Sequence, residues 1–372
     1  AIVGLAVWLI SGLAEIDARY AAGPQMHIGL LFVALSLAAG ALASLPLRWR
    51  AWQNCVELMS VVPGLFLLTL IERELQPLSG LGLLTWPISL AAYGALLHWR
   101  ERSDPARLPL LHAIGFWTLI ALLTHAAQIA IEARLGQASA WWLSSLAAIP
   151  TVLAAVAFLP AANRSWPLSM HAPSYRGAWL LPVALWLSGW LLVSNLVRPG
   201  AYAPTPYLPV LNVQDLVNVG TLWLLVGWWA QVSARTPNRV TRAVGTGLGA
   251  LAFLFLNAAL LRALHVYLPV AWDFEVMLDS FSVQASLTLL WVTTALALMV
   301  TGSRRGTRWL WLVGAGLMGV VVLKLFAVDT AASGTLARIA AFFGVAIGLF
   351  VAGYFAPRPP SERNGSGGGM PG

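Results

Sequence analysis

Apolar segments of roughly 20 residues alternate with short polar loops along nearly the whole chain. Segments of this length can cross the hydrocarbon core of a bilayer, and they must be helical there because no water satisfies their backbone groups. The pattern predicts an all-α, polytopic transmembrane helical bundle. Its twelve predicted spans are 1–14, 26–45, 52–71, 81–98, 108–131, 141–160, 178–196, 216–233, 244–265, 281–302, 309–328 and 335–355.

Composition supports the same class. Hydrophobic residues make up 59% of the 372 residues and charged residues only 10%, whereas soluble domains carry about 25% charged residues. The net charge of +8 does not indicate nucleic-acid binding, because the basic residues are scattered in small groups between apolar segments. The partners predicted are membrane lipids and other envelope membrane proteins. The single cysteine, Cys55, excludes a disulfide within the chain.

Basic residues fall mainly in every second loop, and the positive-inside rule places those loops in the cytoplasm. With twelve helices, this alternation predicts that both termini are cytoplasmic. Most of the acidic residues fall in the opposite, outer loops. The basic residues of the inner set are Arg48, Arg50, Arg100, Arg102, Arg107, Arg164, Arg176, Arg235, Arg239, Arg242, Arg304, Arg305, Arg308, Arg358 and Arg363.

The spans predict one transmembrane domain over residues 1–356, followed by a tail at 357–372. That tail is rich in Gly, Ser and Pro, which predicts disorder. The first apolar segment has no basic region before it and does not resemble a cleavable signal peptide. The sequence is therefore expected to be the C-terminal part of a longer chain.

Three charged residues interrupt the apolar pattern near the C-terminus: Lys324, Asp329 and Arg338. The predicted hairpin brings them to similar depth on the outer side. One interpretation is that the two cations extend to the interface while Asp329 caps the last helix. The other is an outer-leaflet pocket that binds an anionic group such as a lipid headgroup.

Further candidates lie at the same predicted depth. Arg262 and His265 are three residues apart and share a helix face, so they join the predicted anion-binding or headgroup-binding set. Asp273 and Glu275 in the following loop, together with Asp329, are the candidates for acid–base catalysis. Solvated loop carboxylates without a catalytic role are the more common occurrence.

Polar residues elsewhere are assigned structural roles. Asn212 and Asp215 follow a Pro-rich segment and are expected to cap the next helix, with Asp215 as a ligand as the alternative. A second polar stripe follows one face of the fifth predicted helix, at His125, Gln128 and Glu132. The six histidines have no spacing typical of metal ligands, so the sequence predicts no metal site and no cofactor.

Three stretches in the C-terminal third carry a family resemblance: PVLNVQDLV, LHVYLPVAWDFEVMLDSFSVQASLTLLW and RRGTRWLWLVGAGLMGVVVLKLFAVDTAASGTLARIAAFFGVAIG. They resemble a bacterial family of polytopic membrane proteins known as domain of unknown function 2339. The resemblance is specific over residues 205–356. It implies many spans and an inner-membrane location with an envelope role, and it supplies no mechanism.

Three functions compete on this basis. The first is a non-catalytic scaffold, assembly subunit or lipid binder of the cell envelope. The second is a transferase that acts on lipid-linked sugar or acyl substrates at the periplasmic face, where cations would bind phosphate and a carboxylate would act as base. The third is a transporter, which is disfavoured because few charges lie near the predicted membrane midplane.

Overall fold

The computed structural model describes residues 2–20, 22–43, 61–101, 108–159, 164–197, 199–234, 238–268 and 270–324, with a few single positions after residue 338. Over these ranges the chain forms helices and no β-strand, apart from an isolated bridge between Ser139 and Ala201. The chain divides into two compact units, Ala1–Ala252 and Phe253–Gly372.

Nine α-helices of the described residues lie wholly in the first unit. A short 3₁₀ turn, Ala178–Leu180, precedes the eighth of them. The helices are α1 (Ile2–Arg19), α2 (Ala22–Ala43), α3 (Val62–Glu72), α4 (Gly82–Arg100), α5 (Leu108–Leu135), α6 (Ala140–Val156), α7 (Leu168–Tyr175), α8 (Leu181–Leu196) and α9 (Val213–Ser233).

The next helix, α10 (Asn238–Tyr267), contains the boundary between the units. Three more helices follow in the described part of the second unit: α11 (Phe274–Asp279), α12 (Phe281–Arg304) and α13 (Arg308–Lys324). Helices α7 and α11 lie where the sequence predicted loops. The predicted span 335–355 lies outside the continuously described ranges, and 52–71 is described only from residue 61.

By length and composition, five helices of the described ranges could cross a membrane: Leu108–Leu135, Ala178–Leu196, Val213–Ser233, Arg239–Tyr267 and Phe281–Arg304. The helices Pro24–Gly40, Val62–Glu72 and Ala140–Val156 are apolar but shorter. The prediction of an all-helical protein with membrane-spanning character is therefore confirmed. The count of twelve spans and the cytoplasmic position of both termini stay predictions.

The largest core of the first unit lies where α5, α6, α8 and α9 pack together. Ala147 and Ala154 of α6 are fully buried and allow the neighbouring helix backbones to approach. Leu187 and Leu191 of α8 are also fully buried in this core. Large apolar side chains elsewhere stay exposed, for example Trp223 at 70%, which is the distribution expected when lipid surrounds the helices.

A proline inside α6 explains one of the contacts between α6 and α8. Pro150 has no N–H to donate to the carbonyl of Leu146, four residues earlier. The indole Nε1–H of Trp186, on α8, donates to that carbonyl at 2.8 Å. The tryptophan thus replaces the hydrogen bond that the proline removes, which matters because an unsatisfied carbonyl is costly in lipid.

In the second unit, glycines allow α12 and α13 to approach closely. A Cβ atom at Gly314 would lie 2.7 Å from the carbonyl oxygen of Ala295 and 2.8 Å from Cγ of Met299. Gly302 likewise faces the backbone of Trp311. A Cβ atom at Gly302 would lie 2.6 Å from the backbone nitrogen of Trp311. Glycine is therefore required at these contacts, because any side chain would force the helices apart.

We expect Trp186→Phe to lower the free energy of unfolding by about 0.5–2 kcal/mol, because it leaves the Leu146 carbonyl without a donor. In a Pro150→Ala background the backbone N–H at position 150 can reach that carbonyl, so the same substitution should cost less. Unfolding in mixed detergent micelles measures both effects as a double-mutant cycle.

Trp190→Phe is the control, because the Trp190 indole donates to the Leu143 carbonyl and the cost of removing it should not depend on residue 150. Additive costs for Trp186→Phe and Pro150→Ala would contradict this account.

Gly314→Ala should destabilise the second unit by about 1–3 kcal/mol, because the new methyl group overlaps the α12 backbone. Gly319→Ala is the matched control: it lies on the same helix, and no atom lies within 4 Å of its notional Cβ. Alanine favours helix formation by up to about 1 kcal/mol over glycine, so the control should be neutral or stabilising. Thermal unfolding in detergent tests the difference in sign, and equal effects at both positions would contradict the close approach.

Candidate functional site

Lys324, one of the predicted anion-binding residues, contacts a neighbouring helix. Its ammonium group donates to the Thr288 hydroxyl at 2.9 Å and to the Gln284 carbonyl at 3.3 Å, both on α12. These bonds secure the end of α13 against α12. Asp329 and Arg338 lie outside the described residues, so the predicted grouping of the three charges stays a prediction.

The other two predicted headgroup ligands lie near the end of α10. Arg262 is only 1% exposed. His265 donates from Nδ1 to the carbonyl of Val270 at 2.7 Å and packs edge-on against Trp272. His265 therefore fixes the loop that follows α10.

The predicted catalytic carboxylates occupy the start of α11. Asp273 is its N-cap residue, and its Oδ1 accepts hydrogen bonds from the backbone N–H groups of Glu275 and Val276 at 3.0 and 3.1 Å. Glu275 is exposed in the first turn of the helix. This geometry gives Asp273 a local structural role that the sequence analysis had not assigned to it.

Asn212 and Asp215 form a buried cap at the start of α9. The Asn212 side chain accepts from the backbone N–H of Asp215 at 2.9 Å and donates to its carboxylate at 2.6 Å. That carboxylate also accepts from the N–H of Val210 at 3.1 Å and is fully buried. Asp215 is therefore enclosed by its own loop.

A wider layer of buried amides continues from this cap. Asn195 on α8 donates to Asn218 on α9 at 2.6 Å, and Gln214 donates to the Ser194 carbonyl at 2.8 Å. Each of these amides is at most 5% exposed. The layer ties α8 to α9 through mutually satisfied polar groups, which indicates a structural role.

A different polar cluster contains Glu101, His112 and His171, none of which was a predicted site residue. Glu101 is the C-cap residue of α4, His112 lies near the start of α5, and His171 lies on the short helix α7. Helices α4 and α5 are consecutive spans of the predicted topology. The cluster therefore lies at the end of α4 and the start of α5, on the side that carries Arg100.

The carboxylate of Glu101 is the centre of this cluster. Its Oε1 lies 2.8 Å from Nε2 of His171 and 3.5 Å from Nε2 of His112, and it accepts a hydrogen bond from the Trp166 indole at 2.8 Å. One ligand atom from each of Glu101, His112 and His171 lies within 4.8 Å of the others. This is the only such set of three metal-ligand residues found within the described ranges.

Tyr175 and Trp179 hold the His112 ring in place. Nδ1 of His112 lies 3.0 Å from the Tyr175 hydroxyl, and the ring stacks on Trp179 with an angle of 9° between the planes. Nε2 of His112 is buried and has no hydrogen-bond partner. The ring is thus oriented with its second nitrogen directed at the Glu101 carboxylate.

The surroundings also set the charges of the cluster. Burial opposes ionisation of Glu101, but the hydrogen bonds from Trp166 and His171 and the charges of the two histidines outweigh it and lower the pKa of this carboxyl. Burial raises the pKa of the Tyr175 hydroxyl, and the nearby Tyr93 and Glu101 add to the rise. At neutral pH the cluster therefore contains a carboxylate and a neutral phenol.

The sequence could not group these residues, because Glu101 and His171 are 70 positions apart. The absence of ligand spacing among the histidines did not exclude a cluster assembled by packing. A usable signal was present in the predicted topology. Glu101 and His112 flank one predicted inner loop, and His171 lies in the next inner loop. All three residues are therefore predicted on the same membrane face.

A crevice of about 360 Å³ lies in the first unit between α5, α6 and α8. Its walls are mainly apolar, and its polar lining groups come from the C-terminal half of α5. The lining residues are Ile71, Trp117, Ile120, Ala121, Thr124, His125, Gln128, Leu146, Pro150, Pro182, Val183 and Trp186. Two members of the predicted polar stripe, His125 and Gln128, therefore line this crevice.

A second cavity of about 450 Å³ lies between α6 and α9. Trp141 and Thr151 line it from α6, and Val217 and Gly220 from α9. Like the first, it lies within the first unit, and neither cavity is lined by a predicted headgroup ligand.

Comparison with known proteins gives one match. A sequence profile described as "Predicted membrane protein (DUF2339)" matches residues 1–359. No curated protein and no solved structure matches the chain. The matched range extends to the residues before 205, beyond the stretches that carry the specific resemblance. Since the profile covers nearly the whole sequence, the chain belongs to the DUF2339 family of predicted membrane proteins.

Proposed function

We propose that the protein is a multi-pass protein of the bacterial inner membrane that binds a lipid acyl chain without catalysing a reaction. The observation that carries this proposal is the apolar crevice between α5, α6 and α8. Its volume of about 360 Å³ falls in the range of small-molecule sites, about 300–1,000 Å³.

The chemistry of the crevice suits hydrocarbon. Trp117, Ile120, Leu146, Val183 and Trp186 offer it apolar surface. Trp186 is 53% exposed, so one wall borders the medium around the helices. If that medium is lipid, acyl chains are the apolar groups that reach the crevice at the highest concentration.

Polar groups at one end suit a lipid rather than a fully apolar molecule. Thr124, His125 and Gln128 lie toward the C-terminal end of α5, and His125 is held by a 3.0 Å hydrogen bond between Nε2 and the Leu75 carbonyl. In the proposed topology this end is near the outer headgroups. An occupant would therefore place its ester or headgroup there and its chain beside Trp117.

The topology is part of the proposal. Twelve spans would form one transmembrane region over residues 1–356, with both termini cytoplasmic and a tail at 357–372. The alternation of arginine-rich and arginine-poor loops supports this arrangement. A scaffold role among envelope proteins is compatible with lipid binding and would use the same fold.

The two alternatives rank lower. A transferase needs a free carboxylate base beside cations, whereas Asp273 caps α11 and Lys324 donates to α12. A transporter needs charged groups near the membrane midplane, and few charges lie near the centres of the predicted spans.

Ala121→Phe should block lipid binding, because the phenyl ring would occupy the crevice. The protein is reconstituted in vesicles of phosphatidylethanolamine and phosphatidylglycerol that contain a phosphatidylethanolamine with a diazirine on one acyl chain. After illumination, mass spectrometry locates the labelled peptides. We expect labelling around Trp117–Gln128 and Trp186. Ala121→Phe should reduce this labelling at least about tenfold. A tenfold loss of affinity equals about 1.4 kcal/mol of binding free energy.

The matched control is Ala91→Phe, an equal change at an exposed position of α4 that lines neither cavity. It should leave the labelling pattern unchanged. Labelling spread evenly over all exposed helices, and equally insensitive to both variants, would reject the lipid-binding proposal in favour of a bare scaffold.

The proposed topology predicts which side each loop faces. In a Cys55→Ser background, a cysteine at Ser79 or Thr205 should react with a membrane-impermeant maleimide in intact spheroplasts. A cysteine at Thr307 should react only after permeabilisation. Reaction of Thr307→Cys from outside would refute cytoplasmic placement of the α12–α13 loop.

A further inference from the structure

We propose that Glu101, His112 and His171 bind a divalent first-row transition metal ion such as Zn²⁺. Two imidazoles and one carboxylate are a ligand set that zinc and iron(II) sites use. Nothing in this inference depends on the lipid crevice, which lies between other residues of the first unit.

The spacing of the ligand atoms is close to what an ion needs. Zinc–nitrogen and zinc–oxygen bonds of about 2.0–2.2 Å in tetrahedral geometry place neighbouring ligand atoms roughly 3.3–3.6 Å apart. The Glu101 oxygen lies 3.5 Å from Nε2 of His112 and 2.8 Å from Nε2 of His171. A small movement of His171 away from the carboxylate therefore opens the site to an ion.

Hydrogen bonds pre-orient two of the three ligands, one of them buried and the other half-buried. Histidine ligands commonly use their other ring nitrogen to bind a fixed partner, which sets the tautomer. Tyr175 provides that partner for His112, at 3.0 Å from Nδ1. When Nδ1–H donates to the phenol oxygen, the lone pair of Nε2 faces Glu101. Trp166 holds the carboxylate oxygen in the same way.

His112 distinguishes a metal site from an ordinary ion-pair cluster. Its side chain is fully buried, and the contact of Nε2 with the Glu101 carboxylate is 3.5 Å, which is long for a hydrogen bond and leaves this nitrogen poorly satisfied. The Glu101 carboxylate already accepts hydrogen bonds from His171 and Trp166, so it does not need a second histidine to satisfy it. A metal ion would satisfy Nε2 of His112 and explain why a buried, oriented imidazole faces the carboxylate.

A fourth ligand position is available on the exposed side. Nδ1 of His98 lies 3.9 Å from Oε2 of Glu101, and its side chain is 56% exposed. His98 or a water molecule could complete the coordination, and the exposed side gives an ion its entry path. Bound metal would join the end of α4, the start of α5 and α7, and so stabilise the folded protein.

Metal binding is tested with the full chain, purified in detergent without a histidine tag and treated with chelator. Zn²⁺ is titrated by calorimetry, and Co²⁺ is followed by its visible absorption. We expect one ion per chain and a rise in the thermal unfolding temperature with Zn²⁺. Tyr175→Phe should weaken binding about 10–100-fold. Glu101→Gln and His171→Gln, which remove ligands, should weaken it more.

Glu132→Gln and His27→Gln are matched controls, because they remove a carboxylate and a buried histidine far from the cluster in the chain. Both should keep one-to-one binding. X-ray absorption of the zinc-loaded wild type should show at least two imidazole ligands, a readout that does not depend on any variant folding. The proposal is overturned if the wild type takes up no stoichiometric ion, if both ligand variants bind as tightly as the controls, or if the spectrum shows no imidazole.

Discussion

The structure depends on the need to satisfy every backbone carbonyl where water is absent. Within the first unit, indole N–H groups meet part of this need between helices. Trp186 and Trp190 of α8 donate to the Leu146 and Leu143 carbonyls of α6, and Trp117 of α5 donates to Trp179. Tryptophan suits this task because its large apolar ring packs in hydrocarbon while its single donor reaches a carbonyl. The high tryptophan content therefore has a structural reason within the first unit.

Buried polar residues serve two different purposes in the first unit. The amides around Asp215 satisfy one another, so they hold α8, α9 and the Pro-rich loop in one arrangement. The cluster around Glu101 is held by Trp166 and Tyr175 but leaves a nitrogen of His112 directed at the carboxylate. A closed network indicates structure, and an oriented but incompletely bonded one indicates ligand chemistry. This contrast separates the two clusters better than burial alone, because His112 is as deeply buried as the amides around Asp215.

Hydropathy was sufficient for the long helices: the predictions 108–131 and 281–302 correspond to Leu108–Leu135 and Phe281–Arg304. It failed for α7 and α11, because helices of 8 and 6 residues are too short for an apolar period and depend on local contacts such as the Asp273 cap. The sequence correctly identified His125 and Gln128 as part of a polar stripe. It did not predict the crevice that they line. It gave no weight to Glu101, whose partners come from distant segments and meet only through packing.

The pairing of Pro150 with Trp186 has a consequence over evolutionary time. A lineage that replaces the tryptophan first leaves a carbonyl without a donor, and one that replaces the proline first makes the indole bond dispensable. Substitution at position 150 should therefore precede substitution at position 186 along most branches. Covariation between the two positions would record a dependence that neither residue type reveals alone.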